Sequence, residues 1–154
     1  MKKLFVGILA VGILGFAFTS TNLYKKEVKV EKQEKVEGIH FFHGTWTEAL
    51  AKAEKENKLI FLDAYASWCG PCKMMARNTF TKPEVGEFFN KHFVNVKMDM
   101  EKNADGPRLS RKFSLRAYPS LYFINGKEIV KHNALGYLKP AQLISEGKLA
   151  VQKK

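Results

Sequence analysis

The sequence is poor in the residues from which metal sites and disulfide frameworks are built. Its 154 residues include two cysteines and four histidines, whereas a structural zinc site usually takes four such ligands. His40 and His43 form one closely spaced pair, and His92 and His132 stand apart from it. Two cysteines also cannot form the several bridges of a disulfide-rich secreted domain. We therefore expect no metal, and no cofactor other than a redox-active pair of sulfurs.

Acidic residues are scarce relative to basic ones, with 15 Asp and Glu against 26 Lys and Arg and a net charge of +11. Such an excess can attract nucleic acid or anionic lipid. The lysines are spread along the whole chain, however, and no combined basic and aromatic motif of an RNA-binding type is present. The composition therefore predicts a solvated basic surface with mild attraction to lipid headgroups, and no nucleic-acid partner.

No uninterrupted apolar run reaches the roughly 20 residues that a membrane helix needs. The longest covers residues 4–18 and follows a start of Met-Lys-Lys, which is typical of a signal peptide or an N-terminal membrane anchor. Both readings of residues 1–23 stay open, and both send the rest of the chain to the periplasm or the outer face of the inner membrane. Residues 24–37 have mixed charge and read as a linker, so the folded domain is expected at 38–154.

The two cysteines lie in the run Trp-Cys-Gly-Pro-Cys at positions 68–72, directly after an apolar segment. Disulfide exchange needs one cysteine with a lowered pKa and a second that resolves the mixed disulfide. If the run opens a helix, its N–H groups and dipole favour a negative sulfur on Cys69. Pro71 suits a first helical turn, Gly70 lets a partner's backbone approach, and Trp68 would cover one side. The pattern favours a dithiol redox site over half a zinc site, or over a structural bridge that would constrain little of the unfolded chain.

Hydrophobic periodicity and capping signals predict an alternation of strands and helices. Strands are expected at 39–43, 58–65, 93–99, 120–124 and 128–132, and helices at about 45–56, from 71 to about 80, after 83, at 106–113 and from 140. Thr45 and Glu48 form a capping box for the first helix, Thr81 and Glu84 form one for the third, and Asn125-Gly126 predicts a hairpin. The order indicates an α/β domain with a mixed central sheet and helices on both faces.

With the cysteine run at a strand-to-helix junction, the region from Ile39 to about Gln152 resembles thioredoxin. The resemblance implies a thioredoxin-like fold, in which Asp63 stands where the family keeps a buried acid. Desolvation would raise the pKa of that carboxyl, so that it could exchange the proton of Cys72. Lys97 matches the family's lysine near the acid. A surface carboxylate at a strand end and an exposed lysine remain the alternatives.

The resemblance also implies a substrate groove. Tyr118-Pro119 corresponds to the family's cis-proline dipeptide, which faces the cysteines and offers backbone groups to an extended substrate. Gly136 falls where the family has a glycine beside that groove, and Trp68, Gly70 and Pro71 would complete its walls. An ordinary loop proline and a turn glycine before the last helix are the alternatives at positions 119 and 136.

A second similarity covers residues 68–85, where Thr79-Phe80-x-x-Pro83-x-Val85 resembles the thioredoxin modules of transmembrane thiol:disulfide interchange proteins. Those modules usually have other residues between the cysteines, whereas Gly70-Pro71 is the pairing of general thioredoxins. A membrane thiol-disulfide reductase is therefore an implied electron donor, but the residues do not identify it.

The function expected from the sequence is that of an exported or membrane-tethered oxidoreductase that reduces protein disulfides. In this hypothesis Cys69 attacks the substrate disulfide, Cys72 resolves the mixed disulfide and Asp63 manages the proton. Two alternatives stay open: an oxidase or isomerase of exported proteins, and a non-catalytic peptide-binding or chaperone module that uses the same groove. Gly-Pro between the cysteines favours the reductase.

Overall fold

The computed structural model describes residues 38–154. The signal or anchor predicted at 1–23 and the linker predicted at 24–37 lie outside the described residues. The elements are, in order, α1 Trp46–Lys55, β1 Leu59–Tyr65, α2 Gly70–Asn78, α3 Pro83–His92, β2 Phe93–Asp99, α4 Gly106–Lys112, β3 Ser120–Ile124, β4 Val130–Leu135 and α5 Pro140–Gln152. Between residues 38 and 154, none of these helices has both the length and the apolar character to cross a membrane.

Within this part of the chain four strands form one mixed sheet in the order β2-β1-β3-β4. β1 runs parallel to β2, with Asp63 opposite Lys97 in the register. β3 runs antiparallel to both β1 and β4. A parallel neighbour requires a crossover connection and an antiparallel one only a short turn, which is why two helices separate β1 from β2 and a tight turn joins β3 to β4.

Side chains of β1 alternate between two hydrophobic clusters, one on each face of the sheet. Ile60 and Leu62 pack in the cluster that includes Trp46 of α1 and Leu109 of α4. Leu59 and Phe61 belong to the opposite cluster, which α2, α3 and α5 cover with Met75, Phe89 and Leu143 among others. Successive residues of a strand point to opposite faces, so the apolar run of β1 is buried on both sides. The mixed sheet with helices on both faces is confirmed.

The predicted strand at 39–43 is wrong, because this segment forms no ladder with the four strands of the sheet. It is held by single backbone bonds, Ile39 N to Phe80 O at 2.7 Å and Phe42 N to Asn95 O at 2.7 Å, and by the Asn90 side chain, which accepts a hydrogen bond from His40 N at 2.8 Å. A side-chain amide thus accepts a hydrogen bond that a neighbouring strand would accept in a sheet. Strand-like composition alone does not reveal this arrangement.

Two smaller predictions also need correction. The last strand begins at Val130 and ends at Leu135, two or three residues later than expected, because Glu128 adopts a φ of +58° and extends the turn. The Thr81–Glu84 capping box does not form: Lys82 is the N-cap of α3 and makes no side-chain bond. Thr81 instead donates its hydroxyl to Arg77 O at 2.6 Å, at the end of α2. The Thr45–Glu48 box of α1 is confirmed.

Glu128 in the β3–β4 turn links three elements through charged hydrogen bonds. Its carboxylate accepts two bonds from Arg108 at 2.8 and 2.9 Å, one from Lys112 at 2.6 Å and one from the Trp46 indole at 2.5 Å. These donors, with Arg108 first, hold the pKa of Glu128 at about 2. Only 14% of its side chain is exposed, so solvent screens the cluster less than it screens an ordinary surface pair.

The Glu128 cluster predicts how stability depends on pH. A carboxyl whose pKa is about 2 in the folded protein adds stability above its unfolded value near 4.5 and loses that contribution as the pH falls toward 2. We expect Glu128→Gln to lower the free energy of unfolding by about 2 kcal/mol at neutral pH and much less near pH 2. Urea unfolding at several pH values measures this, with Glu87→Gln on the exposed side of α3 as the control. A Glu128→Gln deficit that stays the same across the pH range would contradict it.

Candidate redox site

Cys69 and Cys72 are joined by a disulfide at the start of α2. Cys69 is the N-cap residue, and its sulfur accepts a hydrogen bond from Cys72 N at 3.2 Å. Pro71 stands in the first turn, where its missing N–H costs nothing. The strand β1 ends at Tyr65, and a backbone hydrogen bond from Cys69 N to Ala66 O at 3.0 Å closes the short connection to the helix. The structure therefore places the cysteine motif at a helix N-terminus, where a thiolate is stabilised.

An open groove of about 470 Å³ lies beside the disulfide. Its walls include Cys69 and four of the residues predicted to bind substrate, Trp68, Gly70, Pro71 and Tyr118. A Cβ placed on Gly70 would meet no heavy atom within 4 Å, so this edge of the groove is open to an approaching chain. Leu115, Arg116 and Ala117 also line the groove, and the sequence reasoning missed them, although they directly precede the predicted Tyr118-Pro119 pair.

Trp68 is held in place although 67% of its surface is exposed. Its indole N–H donates to Glu101 Oε2 at 2.9 Å, and its ring meets the edge of Tyr118 with a centroid distance of 5.8 Å. Glu101 was missed in the sequence. A signal for it existed, because β1 and β2 are parallel and the residues that follow their carboxyl ends meet at one edge of the sheet.

The peptide bond between Tyr118 and Pro119 is cis, as the resemblance to thioredoxin implies. Pro119 O accepts a hydrogen bond from Gly136 N at 2.8 Å, and Gly136 adopts a φ of +86°, which favours glycine. Pro119 and Gly136 thus adjoin each other at the ends of β3 and β4. Among residues 38–154 the groove walls include Tyr118 but neither of these two.

The buried Asp63 forms an ion pair with the partly exposed Lys97 on the face of the sheet that α2 covers. Asp63 is 1% exposed, and its Oδ2 accepts a hydrogen bond from Lys97 Nζ at 2.5 Å. Its Oδ1 is buried and bonds to none of the described residues. Burial raises the pKa of Asp63, and the charge and hydrogen bond of Lys97 oppose part of that rise. A carboxyl so placed takes up a proton more readily than a surface aspartate does.

The described residues contain no group of three or more His, Cys, Asp and Glu side chains arranged to hold a metal ion. Of the ten residues singled out in the sequence, eight lie at the start of α2, in the walls of the groove or in the Asp63–Lys97 pair. Those eight are Cys69, Cys72, Asp63, Lys97, Trp68, Gly70, Pro71 and Tyr118. Pro119 and Gly136 adjoin each other outside the groove walls.

A C-x-x-C disulfide that opens a helix, on a mixed sheet with a cis-proline dipeptide, defines a thioredoxin-fold protein of the thiol-disulfide oxidoreductase type. Comparison with protein families agrees. The chain belongs to the family described as Thioredox_DsbH (Protein of unknown function, DUF255), whose model matches residues 21–115.

Individual proteins extend this assignment. A structure of a Bacteroides thetaiotaomicron protein provisionally assigned as a disulphide-isomerase is 39% identical, with a TM-score of 0.68, and the match covers 79% of this chain and 99% of that one. The C-terminal domain of DsbD from Neisseria meningitidis is 25% identical, with a TM-score of 0.59, over 75% of this chain and all of that domain. Thioredoxin H4 of Arabidopsis thaliana is 32% identical over 99 residues, which are 64% of this chain and 77% of the relative.

Other curated relatives are much longer than this chain. This chain is 41% identical to two of them over 66 residues, and those residues make up 8% of each relative's length. The similarity to those proteins therefore concerns a small part of them, and the activities of the whole relatives do not transfer with it.

The raised pKa of Asp63 predicts a second effect of pH on stability. A buried acid that is harder to ionise when folded lowers stability as the pH rises from its unfolded value near 3.8 through its folded one. We therefore expect Asp63→Asn to gain stability relative to the parent as the pH rises above 3.8, by about 1.4 kcal/mol for each unit of pKa shift removed. Urea unfolding of the oxidised proteins measures this, with Asp105→Asn as the control. Parallel curves for the parent and Asp63→Asn would refute it.

Proposed function

We propose that this protein is an exported or membrane-tethered reductase of protein disulfides that works through the Cys69/Cys72 dithiol. The observation that carries the proposal is the setting of the two cysteines. Both cysteines are 3% exposed and belong to the buried cluster with Ala66, but Cys69 caps α2 and lines the open groove, whereas Cys72 is not among the residues of its walls. A substrate in the groove therefore meets Cys69 first, and Cys72 is left to resolve the mixed disulfide.

In the first step the Cys69 thiolate attacks one sulfur of a substrate disulfide. The Cys69–substrate S–S bond forms, the substrate S–S bond breaks, and the departing thiolate takes a proton from water. The N–H groups of the first turn of α2 stabilise the attacking thiolate, as the bond from Cys72 N to Cys69 Sγ at 3.2 Å indicates. Trp68 and Tyr118 would hold an extended substrate along the groove.

In the second step Cys72 loses its proton and attacks the Cys69 sulfur. The mixed disulfide breaks, the second substrate sulfur leaves as a thiolate that takes a proton from water, and the Cys69–Cys72 bond forms, so two electrons pass to the substrate. We assign the proton of Cys72 to the carboxylate of Asp63, whose buried Oδ1 makes no bond with residues 38–154. Lys97 at 2.5 Å keeps the ionised form of Asp63 available as an acceptor.

The cycle needs a donor that returns the disulfide to the dithiol, and we propose a membrane thiol-disulfide reductase. The similarity to a DsbD C-terminal domain supports a partner of that class. The apolar run at 4–18 after a basic start supports a site of action outside the cytoplasm, in the periplasm or on the outer face of the inner membrane. In such an oxidising compartment a dithiol stays reduced only while electrons are supplied.

A disulfide isomerase is the second candidate, and one comparison favours it. The match with the Bacteroides thetaiotaomicron protein provisionally assigned to that activity covers 99% of that protein and 79% of this chain. Isomerase and reductase share the attack by Cys69 and differ in whether the mixed disulfide is resolved by Cys72 or by a substrate thiol. A non-catalytic peptide-binding module would need the groove but neither sulfur.

Single cysteine variants test the assignment of roles. We expect Cys69→Ser to reduce a fluorogenic peptide disulfide at least a thousandfold more slowly, because no nucleophile remains in the groove. Cys72→Ser should accumulate a mixed disulfide with the peptide, visible as a mass increase that dithiothreitol reverses. The double variant controls for binding without chemistry. Adducts on Cys72 in the Cys69→Ser variant, or full protection of clients by the double variant, would contradict the roles proposed.

The reduction potential of the Cys69/Cys72 pair decides the direction of electron flow. Equilibration in graded thiol buffers, followed by trapping of free thiols, measures it. A reductase predicts a value near that of thioredoxin, about −270 mV. A value near that of a strong oxidant, about −120 mV, would make the protein a disulfide donor, and one near about −180 mV would favour the isomerase.

A further inference from the structure

The ammonium group of Lys97 lies among three aromatic rings. Its Nζ is 4.2 Å from the centroid of Tyr65, 5.4 Å from that of Phe80 and 5.9 Å from that of Phe41. All three distances fall within the range of about 6 Å in which a ring face attracts a cation. The rings come from separate parts of the chain: the end of β1, the connection between α2 and α3, and the segment 38–43.

Tyr65 is also the residue that joins this cage to the cysteines. Its side chain packs against the buried cluster of Ala66, Cys69 and Cys72. It stands two residues after Asp63 on β1, and side chains two apart on a strand share a face. A single ring therefore adjoins the redox pair on one side and the partner of the buried acid on the other.

We propose that Tyr65, aided by Phe41 and Phe80, is a positioning residue that holds the charged Lys97 against Asp63 and thereby sets the proton affinity of that carboxyl. The relevance of this to catalysis rests on the proposed function, in which Asp63 takes the proton of Cys72. The link to Asp63 itself rests on geometry, namely the cage distances and the 2.5 Å contact between Lys97 Nζ and Asp63 Oδ2.

The cage matters because Lys97 has an alternative position. With 27% of its side chain exposed, a lysine without the rings can turn its ammonium to water, since its flexible stem allows it to reach solvent. Asp63 would then lose both the nearby positive charge and its hydrogen bond. Its carboxyl would stay protonated to a higher pH, because the burial that opposes its ionisation would remain.

The other groups around the cage leave this reasoning intact. Phe41 and Phe80 carry no titratable group. Burial raises the pKa of Tyr65, and Asp99 and Asp63 add to the rise, so its phenol is neutral at physiological pH. Two further ionisable residues adjoin Tyr65, namely Asp99, opposite it in the β1–β2 register, and Cys72 of α2. Both are retained in every variant described below.

Carbon-13 NMR of the full-length chain with labelled aspartate carboxyls tests the proposal. The sequence has Asp99 and Asp105 as its remaining aspartates, and their signals serve as internal references, with Asp63→Asn for assignment. We expect Tyr65→Leu to raise the midpoint of the Asp63 titration by about half a pH unit or more. Tyr65→Phe, which keeps the ring face, should titrate as the parent does, and Lys97→Met should show the largest shift.

Two results would overturn the proposal. One is an Asp63 titration in Tyr65→Leu that matches the parent while Lys97→Met moves it. The other is a shift in Tyr65→Phe as large as that in Tyr65→Leu, because the phenol and not the ring face would then be responsible. If Tyr65→Leu does not fold, Phe41→Leu replaces it, since Phe41 lies outside the cysteine cluster. We expect an upward shift of the Asp63 titration in Phe41→Leu too. If Phe41→Leu leaves that titration unchanged while Lys97→Met moves it, the cage is refuted.

The peptide-disulfide assay separates this inference from the proposed function. If the parent reduces disulfides, the pH profile of Tyr65→Leu should move in the same direction as its Asp63 titration, while that of Tyr65→Phe stays with the parent. If the parent reduces nothing but Tyr65→Leu still moves the titration, the positioning role stands and the reductase fails. If the parent is active and neither the titration nor the profile moves, the positioning role fails and the reductase stands.

Discussion

The parallel register between β1 and β2 is the constraint on which the rest of this site depends. It sets Asp63 beside Lys97 and ends both strands at one edge of the sheet, so that the cysteine run after β1 and Glu101 after β2 meet there. An antiparallel pairing would send these two chain ends to opposite edges. The helices that the parallel crossover requires also include α2, whose N-cap is Cys69.

Most of the scaffold could be predicted because its signals are local. β2 and β3 were predicted at their observed bounds and β1 within one residue, because strands buried on both faces have continuous apolar runs. α1 was predicted from its capping box and the start of α2 from Pro71 and the cysteine motif. Asp63 stands out for a different reason. A carboxylic acid inside an apolar run is unfavourable to bury, and such a conflict between sequence and burial is typical of a functional position.

The rest depends on contacts between residues distant in the sequence. Segment 39–43 has strand composition, but it is held by the side chain of Asn90 and by one backbone bond to Asn95 of β2, and it forms no ladder. The Thr81–Glu84 pattern fails because the Thr81 hydroxyl finds Arg77 O, one helical turn back. The cage around Lys97 joins three chain segments. The residue pattern of any one segment therefore does not predict it.

The two tryptophans of this sequence have opposite surroundings, which has an optical consequence. Trp46 is 3% exposed and bonded to Glu128, whereas Trp68 is 67% exposed and precedes the disulfide directly. A disulfide quenches the fluorescence of a nearby indole, and a buried indole emits at shorter wavelength than one in water. The red side of the emission band will therefore follow the oxidation state of the sulfurs while the blue side follows the integrity of the fold, so one unlabelled sample reports both.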